Sequence, residues 1–267
     1  MDLKLAGKTA IVSGGSKGIG KAVARQLARE GVDVALAARN MDDLNAAAKE
    51  IANETGRRVI SISTDTSDDA RVREMVAVAA STFGRIDILI NAAAQPAGQS
   101  GKPPGLLETT VELFWAEMNT KVMGYLRTAR EVAPHMKTNG WGRIVNISGL
   151  ASRNTGYLVG SMRNVSVTAM TKNIADELGP FGINCVCVHP AVTRTEKTSG
   201  VQERMAAAQN VSIQEVDKQM GAKYALGRII ESEEVADVIT FLCSPRSVAI
   251  NGDAIAVAGS VKGPIYY

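Results

Sequence analysis

The chain has 267 residues, of which 45% are hydrophobic and 21% charged, and its formal charge is +3. That balance is ordinary for a globular protein and excludes a basic excess of the kind that marks a nucleic-acid partner. The apolar stretches are broken by charge before membrane-spanning length, so no membrane partner is expected.

Short apolar runs alternate with longer helical patterns. Thr9 to Val12 reads as a strand, followed by a helix from about Lys17 to Glu30. Val34 to Ala37 is the next strand, and Asp42 to Glu54 the next helix. Val59 to Ile62 precedes a helix over Asp68 to Phe83, and Ile86 to Ile90 is a fourth strand. A long helix is predicted over Val111 to Met136, a fifth strand over Arg143 to Ile147, and a helix over Gly160 to Gly179. In that helix Val167, Met170, Ile174 and Leu178 recur at helical spacing, so one face belongs to a core. Cys185 to His189, Glu233 to Leu242 and Ala254 to Val257 complete the series as strand, helix and strand.

Apolar strands alternating with helices imply parallel pairing with helices on both faces. The expected fold is therefore a doubly wound Rossmann-type α/β fold, with a mostly parallel seven-stranded sheet, in one domain over 1–267. Two segments depart from the rhythm. Residues 95–108 contain Pro96, Pro103 and Pro104; residues 195–224 are polar and Met-rich. Both leave the carboxyl ends of strands, where such sheets bind ligands, so they are expected to wall a small-molecule substrate site, the second as a mobile lid. The three cysteines, Cys185, Cys187 and Cys243, sit in apolar surroundings and read as buried hydrophobes rather than a disulfide or zinc set. Met1 to Lys8 carries no apolar signal segment, and a cytoplasmic protein is the expectation.

Ser13-Gly14-Gly15-Ser16-Lys17-Gly18-Ile19-Gly20 lies between the first strand and the first helix. In that context glycines allow a tight turn, close backbone approach to a pyrophosphate and close helix–strand packing, and the helix N-terminus offers unpaired N–H groups to phosphate. At the end of the second strand stands Ala38, where an acid would favour a ribose hydroxyl. Arg39 follows it and Lys17 is nearby, and two cations without an acid favour NADP(H) over NAD(H).

This loop resembles that of the short-chain dehydrogenase/reductase superfamily, with Ser13 in place of threonine. Asn91-Ala92-Ala93-Ala94, Pro180-Phe181-Gly182-Ile183-Asn184, His189-Pro190-Ala191 and Glu233-Glu234-Val235-Ala236 are similar to further family segments. The resemblance implies a carbonyl/alcohol oxidoreductase. It implies that Asp65 and Thr66 hold the adenine edge, Thr193 and Thr195 the nicotinamide amide, and Asn91, Ala92, Ala93 and Pro190 neighbouring parts of the cofactor. It also implies a homodimer or homotetramer, whose interface the apolar end Pro264 to Tyr267 is expected to join.

The family's catalytic pair is missing. It needs a tyrosine and, four residues on, a lysine that lowers the tyrosine pKa. None of the five tyrosines has a lysine four residues later. Anchoring on the flanking segments puts Gly160 at the tyrosine position, Asn164 at the lysine position, Lys121 at the relay asparagine and Gly149, beside Ser148, at the serine; Asn119 is an alternative relay residue. Ala258-Gly259-Ser260 stands where Asp-Gly-Gly is common. Lys121, Ser148 and Asn164 are the candidate catalytic residues. Tyr157 reads as a wall residue, Arg163 and Lys172 as solvated, and His189 as a neighbour of the cofactor. Three readings stay open: a reductase with an unorthodox proton donor, a non-redox dehydratase, lyase or hydrolase in the same cleft, and an inactive nucleotide-binding protein.

Overall fold

Why the apolar runs become strands is visible in their burial: β1 (Thr9–Ser13), β4 (Ile88–Asn91), β5 (Gly142–Ile147) and β6 (Ile183–Pro190) are buried at every position. With β2 (Asp33–Ala38), β3 (Val59–Ser63) and β9 (Ala254–Val257) they form one seven-stranded sheet in the order β3-β2-β1-β4-β5-β6-β9, and every pair is parallel. This is the doubly wound fold. The computed structural model describes residues 1–94, 103–263 and 265. Most of the expected 95–108 wall therefore lies outside the described residues, as does the Pro264 to Tyr267 end apart from Ile265.

Alternate side chains of each strand go to opposite layers. On one face Val12, Leu36, Ile90 and Val186 pack against Leu27 of α1 (Gly18–Arg29), Ile51 of α2 (Met41–Thr55) and Ile239 of α9 (Ser232–Cys243). On the other, Ile11, Leu89, Ile144 and Cys185 pack against Met75 of α3 (Asp69–Phe83), Val132 of α5 (Gly124–Asn139) and Leu178 of α6 (Leu158–Leu178). Local chemistry sets the helix ends. The Asn40 side chain accepts the Asp43 N–H at 3.1 Å to start α2, and Asp68 accepts the Ala70 N–H at 2.7 Å to start α3.

Two expectations change. The helix read as continuous from Val111 is α4 (Val111–Met118), a π-helical turn at Asn119–Met123, and α5. The turn coincides with a close backbone approach, since a Cβ on Gly124 would stand 3.0 Å from Thr66 Oγ1. The segment read as a polar lid holds two helices, α7 (Thr198–Gln209) and α8 (Ile213–Gly221). It stands on a second, two-stranded sheet of β7 (Thr193–Arg194) and β8 (Ile230–Glu231). Among the described residues no helix is long and apolar enough to cross a membrane.

A buried polar network joins the centre of the sheet to the helices that carry the site. Asn91 Nδ2 donates to Asn146 Oδ1 at 2.9 Å, Asn146 Nδ2 to Thr171 Oγ1 at 3.0 Å, and Thr128 Oγ1 to Asn91 Oδ1 at 2.7 Å. It spans β4, β5, α5 and α6. Removing one member leaves its partners without water or acceptor, which costs about 1–3 kcal/mol. Asn146→Ala is therefore expected to lower the urea midpoint at unchanged slope, by about that free energy.

Candidate active site

The glycine loop is built against the end of β4. Gly14 has φ +71°, and a Cβ there would stand 2.8 Å from the Ala92 carbonyl; a Cβ on Gly20 would stand 2.3 Å from the Gly14 oxygen. The loop therefore closes on Ala92, and the start of α1 closes on the loop. The Gly14 N–H donates to the Ala37 carbonyl at 2.7 Å, which pins the turn to β2. The first N–H of α1, on Gly18, donates to Glu196 Oε2 at 2.9 Å. A carboxylate sitting on an orphan helix N–H is anion-site chemistry, and a backbone cradle with no room for side chains is what a dinucleotide pyrophosphate needs. The residues fit that group.

Two adjoining cavities open along this loop, about 340 and 390 Å³ in volume, within the usual range for a small-molecule site. The first collects Ser16, Lys17, Arg39, Asp65, Thr66 and Ala93 of the sequence-derived set. The second collects Gly18, Ile19, Gly20, Pro190, Thr193 and Thr195, together with Lys121 and Ser148. Gly14, Lys17 and Ala92 line both. Asp65 Oδ1 accepts from the Ser67 hydroxyl at 2.7 Å and from its N–H at 2.9 Å, and the hydroxyl bond, more than the backbone one, holds its carboxyl below the usual range.

Several expectations need correcting. The first cavity is not free of acid. Asp43 lines it, with a carboxylate oxygen 2.7 Å from Lys17 Nζ, while a third cation, Lys197, lines both cavities. The Asn91 side chain does not line either cavity; it is used in the buried network behind them. His189 is also behind the site. Its ring lies beside the Ser152 and Thr168 hydroxyls and accepts the Gly149 N–H at 3.4 Å, and burial pushes its pKa down to about 4. Asn119 faces away, accepting from Arg127 Nη2 at 2.8 Å.

Lys121 lies in the π turn and is buried. Its Nζ donates to the Ser148 carbonyl at 2.8 Å and to Asn164 Oδ1 at 3.1 Å. Burial, reinforced by the nearby Arg163, pushes the ammonium down to about 7. Ser148 closes the group, since its hydroxyl donates to the Asn164 carbonyl at 3.0 Å. The three candidate catalytic residues are thus in mutual contact at the end of β5. Asn164 stands behind Lys121 and Ser148, which line the second cavity.

The tyrosine position is filled from elsewhere. A Cβ on Gly160 would stand 2.4 Å from Tyr157 Cδ1, so the Tyr157 ring occupies that space. The Tyr157 hydroxyl donates to Glu117 Oε1, and Arg163 Nη1 donates to Glu117 Oε2 at 2.7 Å. Burial, followed by the Glu117 bond, raises the Tyr157 pKa to about 12. Arg163 is thus buried and paired rather than solvated. Lys172 is exposed and pairs with Asp176 at 2.5 Å. Sequence reasoning missed Glu117, Arg163, Glu196 and Lys197. For the first two a signal existed. Glu117 precedes Lys121 by four residues, and Arg163 lies three after Gly160 and beside Asn164, so helical spacing puts both near the candidate residues.

The comparisons with known proteins are uniform. A family model described as enoyl-(acyl carrier protein) reductase matches residues 14–261. The NADPH-dependent reductase BacG of Bacillus subtilis is 29% identical over 259 residues, covering 96% of this chain and 98% of its own. A sorbitol dehydrogenase of Cereibacter sphaeroides is 32% identical over 260 residues, covering 96% and 98%. The crystal structure of L-sorbose reductase from Gluconobacter frateurii, complexed with NADPH and L-sorbose, superposes with a TM-score of 0.93 at 25% identity, covering 99% of this chain and 100% of the other.

The Glu196 carboxylate competes for the Gly18 N–H with any phosphate and repels it. Glu196→Gln is expected to tighten the binding of inorganic pyrophosphate and of NADPH several-fold by calorimetry; equal affinities would place the anion elsewhere.

Proposed function

The chain belongs to the short-chain dehydrogenase/reductase superfamily, and on that premise we propose that it is an NADPH-dependent carbonyl reductase, working as a single domain, in which Lys121 replaces the missing tyrosine as proton donor. The observation that carries this reading is the buried Lys121 ammonium, held at the nicotinamide-side cavity by Ser148 and Asn164 and poised near neutrality. When bound, NADPH supplies the hydride. The glycine-loop N–H groups of Gly18 and Ile19 would hold its pyrophosphate, Arg39 and Lys17 its 2′-phosphate, Asp65 and Thr66 its adenine end, and Thr193 and Thr195 its amide end. Ala92, Ala93 and Pro190 would pack beside it. NADPH use by the Bacillus and Gluconobacter relatives supports the cofactor preference.

The proton is then the task of the chain. An ammonium has three hydrogens, and Ser148 and Asn164 take two of them. One remains for the oxygen of the carbonyl undergoing reduction. After transfer the neutral amine keeps two hydrogens, matching the same two acceptors, so both protonation states satisfy the buried groups. An acid with a pKa near working pH is the efficient choice. The Ser148 hydroxyl is turned to Asn164, so substrate orientation by that side chain would require it to release that bond.

The apolar side chains exposed on α4 and α6, among them Val111, Trp115, Met162 and Val165, support a homodimer or homotetramer, which sedimentation velocity reads directly.

Reduction needs the protonated form of Lys121. With NADPH and carbonyl saturating, kcat is therefore expected to be level below about pH 7 and to fall as pH rises through that value. Lys121→Met should lower kcat by about 10²–10⁴ with NADPH affinity unchanged. Turnover that survives this substitution would overturn the assignment. Arg39→Ala should weaken NADPH relative to NADH by roughly tenfold, the worth of a charge-assisted contact. A fluorescence titration with both nucleotides checks it.

A further inference from the structure

Beside the Lys121 group lies a second buried chain of polar residues that the reaction as described does not use. It crosses from one helix to the other in parallel with the first. Lys121 of the π turn reaches Asn164 of α6, and Glu117 of α4 reaches Arg163 of α6. Glu117 precedes Lys121 by four residues, on one helix face, and both members of the ion pair act electrostatically on Lys121, so the two cross-helix links lie close together. Glu117 is 8% exposed and Arg163 is 5% exposed, which for an isolated pair is a costly arrangement. Arg163 Nε is buried and finds no acceptor among the described residues. A pair this poorly repaid by its own bonds is a weak stabiliser, so its position next to the reacting ammonium is the feature that calls for a role.

We propose that Tyr157, Glu117 and Arg163 form a positioning network for Lys121, in which the Glu117–Arg163 ion pair sets how firmly the neighbouring ammonium holds its proton and Tyr157 keeps Glu117 in place. The proposal rests on the reading of Lys121 as the proton donor. Its electrostatics follow from the neighbours of Lys121. Arg163 disfavours the ammonium and Glu117 favours it. The other titratable groups packed around it are kept neutral by burial. Tyr125 of α5 and Cys187 of β6 are both pushed up, and His189 of β6 is pushed down to about 4. Lys17, Glu196 and Lys197 line the same cavity from the glycine loop and the lid segment, and the ion pair is the charged pair whose two members both act on Lys121. Tyr157, with its ring seated against Gly160, donates to one Glu117 oxygen while Arg163 donates to the other, so the carboxylate cannot turn away. Tyr157 is thereby committed to Glu117, and its raised pKa makes it a poor acid at neutral pH.

The test is a set of pH profiles of kcat, paired with a ¹³C NMR titration of the Lys121 Cε resonance in the cofactor-free protein, assigned by its loss in Lys121→Arg. Glu117→Gln leaves Arg163 uncompensated and is expected to move both the kcat limb and the NMR titration to lower pH, by on the order of one unit. Arg163→Gln keeps a donor for Glu117, removes the cation and is expected to move both to higher pH; it serves alone if Glu117→Gln does not fold. Tyr157→Phe keeps the ring over Gly160 but frees Glu117, and is expected to move both to lower pH by less than Glu117→Gln, with a far smaller loss of kcat than Lys121→Met. Limbs and titrations that stay at the wild-type pH in the folded variants would overturn the network while leaving Lys121 as the donor. A wild-type Lys121 that titrates near 10 would remove the donor reading itself. A loss of kcat in Tyr157→Phe as large as in Lys121→Met would overturn both, assigning the proton to the tyrosine.

Discussion

The constraint on which the site turns is the burial of one ammonium. A lysine head group withdrawn from water has to be surrounded by acceptors or give up its charge, and Lys121 does part of each. Two acceptors, the Ser148 carbonyl and Asn164 Oδ1, converge on it from β5 and α6, and its proton affinity falls into the neutral range. Bringing the acceptors together requires the end of β5, the π turn and α6 to meet with little tolerance. The Asn91–Asn146–Thr171–Thr128 network behind them supplies the registration, because each member has a buried partner on another element.

Seen from this lysine, the departures from the family pattern are one rearrangement. By the alignment with that pattern, lysine and asparagine have exchanged helices: the cation now comes from the long helix, as Lys121, and the amide from α6, as Asn164. The two meet directly, with the Lys121 ammonium as donor and Asn164 Oδ1 as acceptor. The serine position is Gly149, where a Cβ would approach Asn164 Nδ2 to 3.1 Å, so a side chain there would press on the amide that holds the lysine. The tyrosine position is Gly160, whose missing Cβ leaves room for the Tyr157 ring. Tyr157, at the start of α6, donates to Glu117. Each change makes space for, or balances, another.

The sheet was legible because its central strands, β1, β4, β5 and β6, are buried on both faces and its strands read as mostly apolar runs. The glycine loop was legible because its function requires backbone without side chains. What escaped was pairing at long range. Arg163 looks like any helix arginine until Glu117, 46 residues earlier, is seen to meet it inside the protein. Charge type argued for solvent, and helical spacing, which argued for the interior, was the better guide. The helices of the lid segment escaped for a different reason. In α7 the apolar stripe is weak, since the side chains buried there are Thr198, Gln202 and Ala206. The end signals were present nonetheless. Asn210 closes α7 in the left-handed conformation, and the Ser212 hydroxyl accepts the Glu215 N–H at 3.1 Å to open α8.

Those two helices connect the anion site to the substrate side. Glu196, at their root, holds the Gly18 N–H, and Val201 of α7 and Met220 of α8 line the cavity that Lys121 faces. The segment is tied down by exposed or half-exposed charges: Arg194 meets Asp217 at 2.7 Å and Glu231 at 3.0 Å, and Gln202 Nε2 donates to Asp217 at 2.7 Å. Ion pairs in such surroundings contribute little, typically below about 1 kcal/mol, so the segment is held more loosely than the sheet it covers. A phosphate group arriving at Gly18 must displace the Glu196 carboxylate, and the displaced residue belongs to the wall of the reaction cavity. On the proposed placement of the cofactor, its occupancy and the shape of the cavity wall would be joined through Glu196.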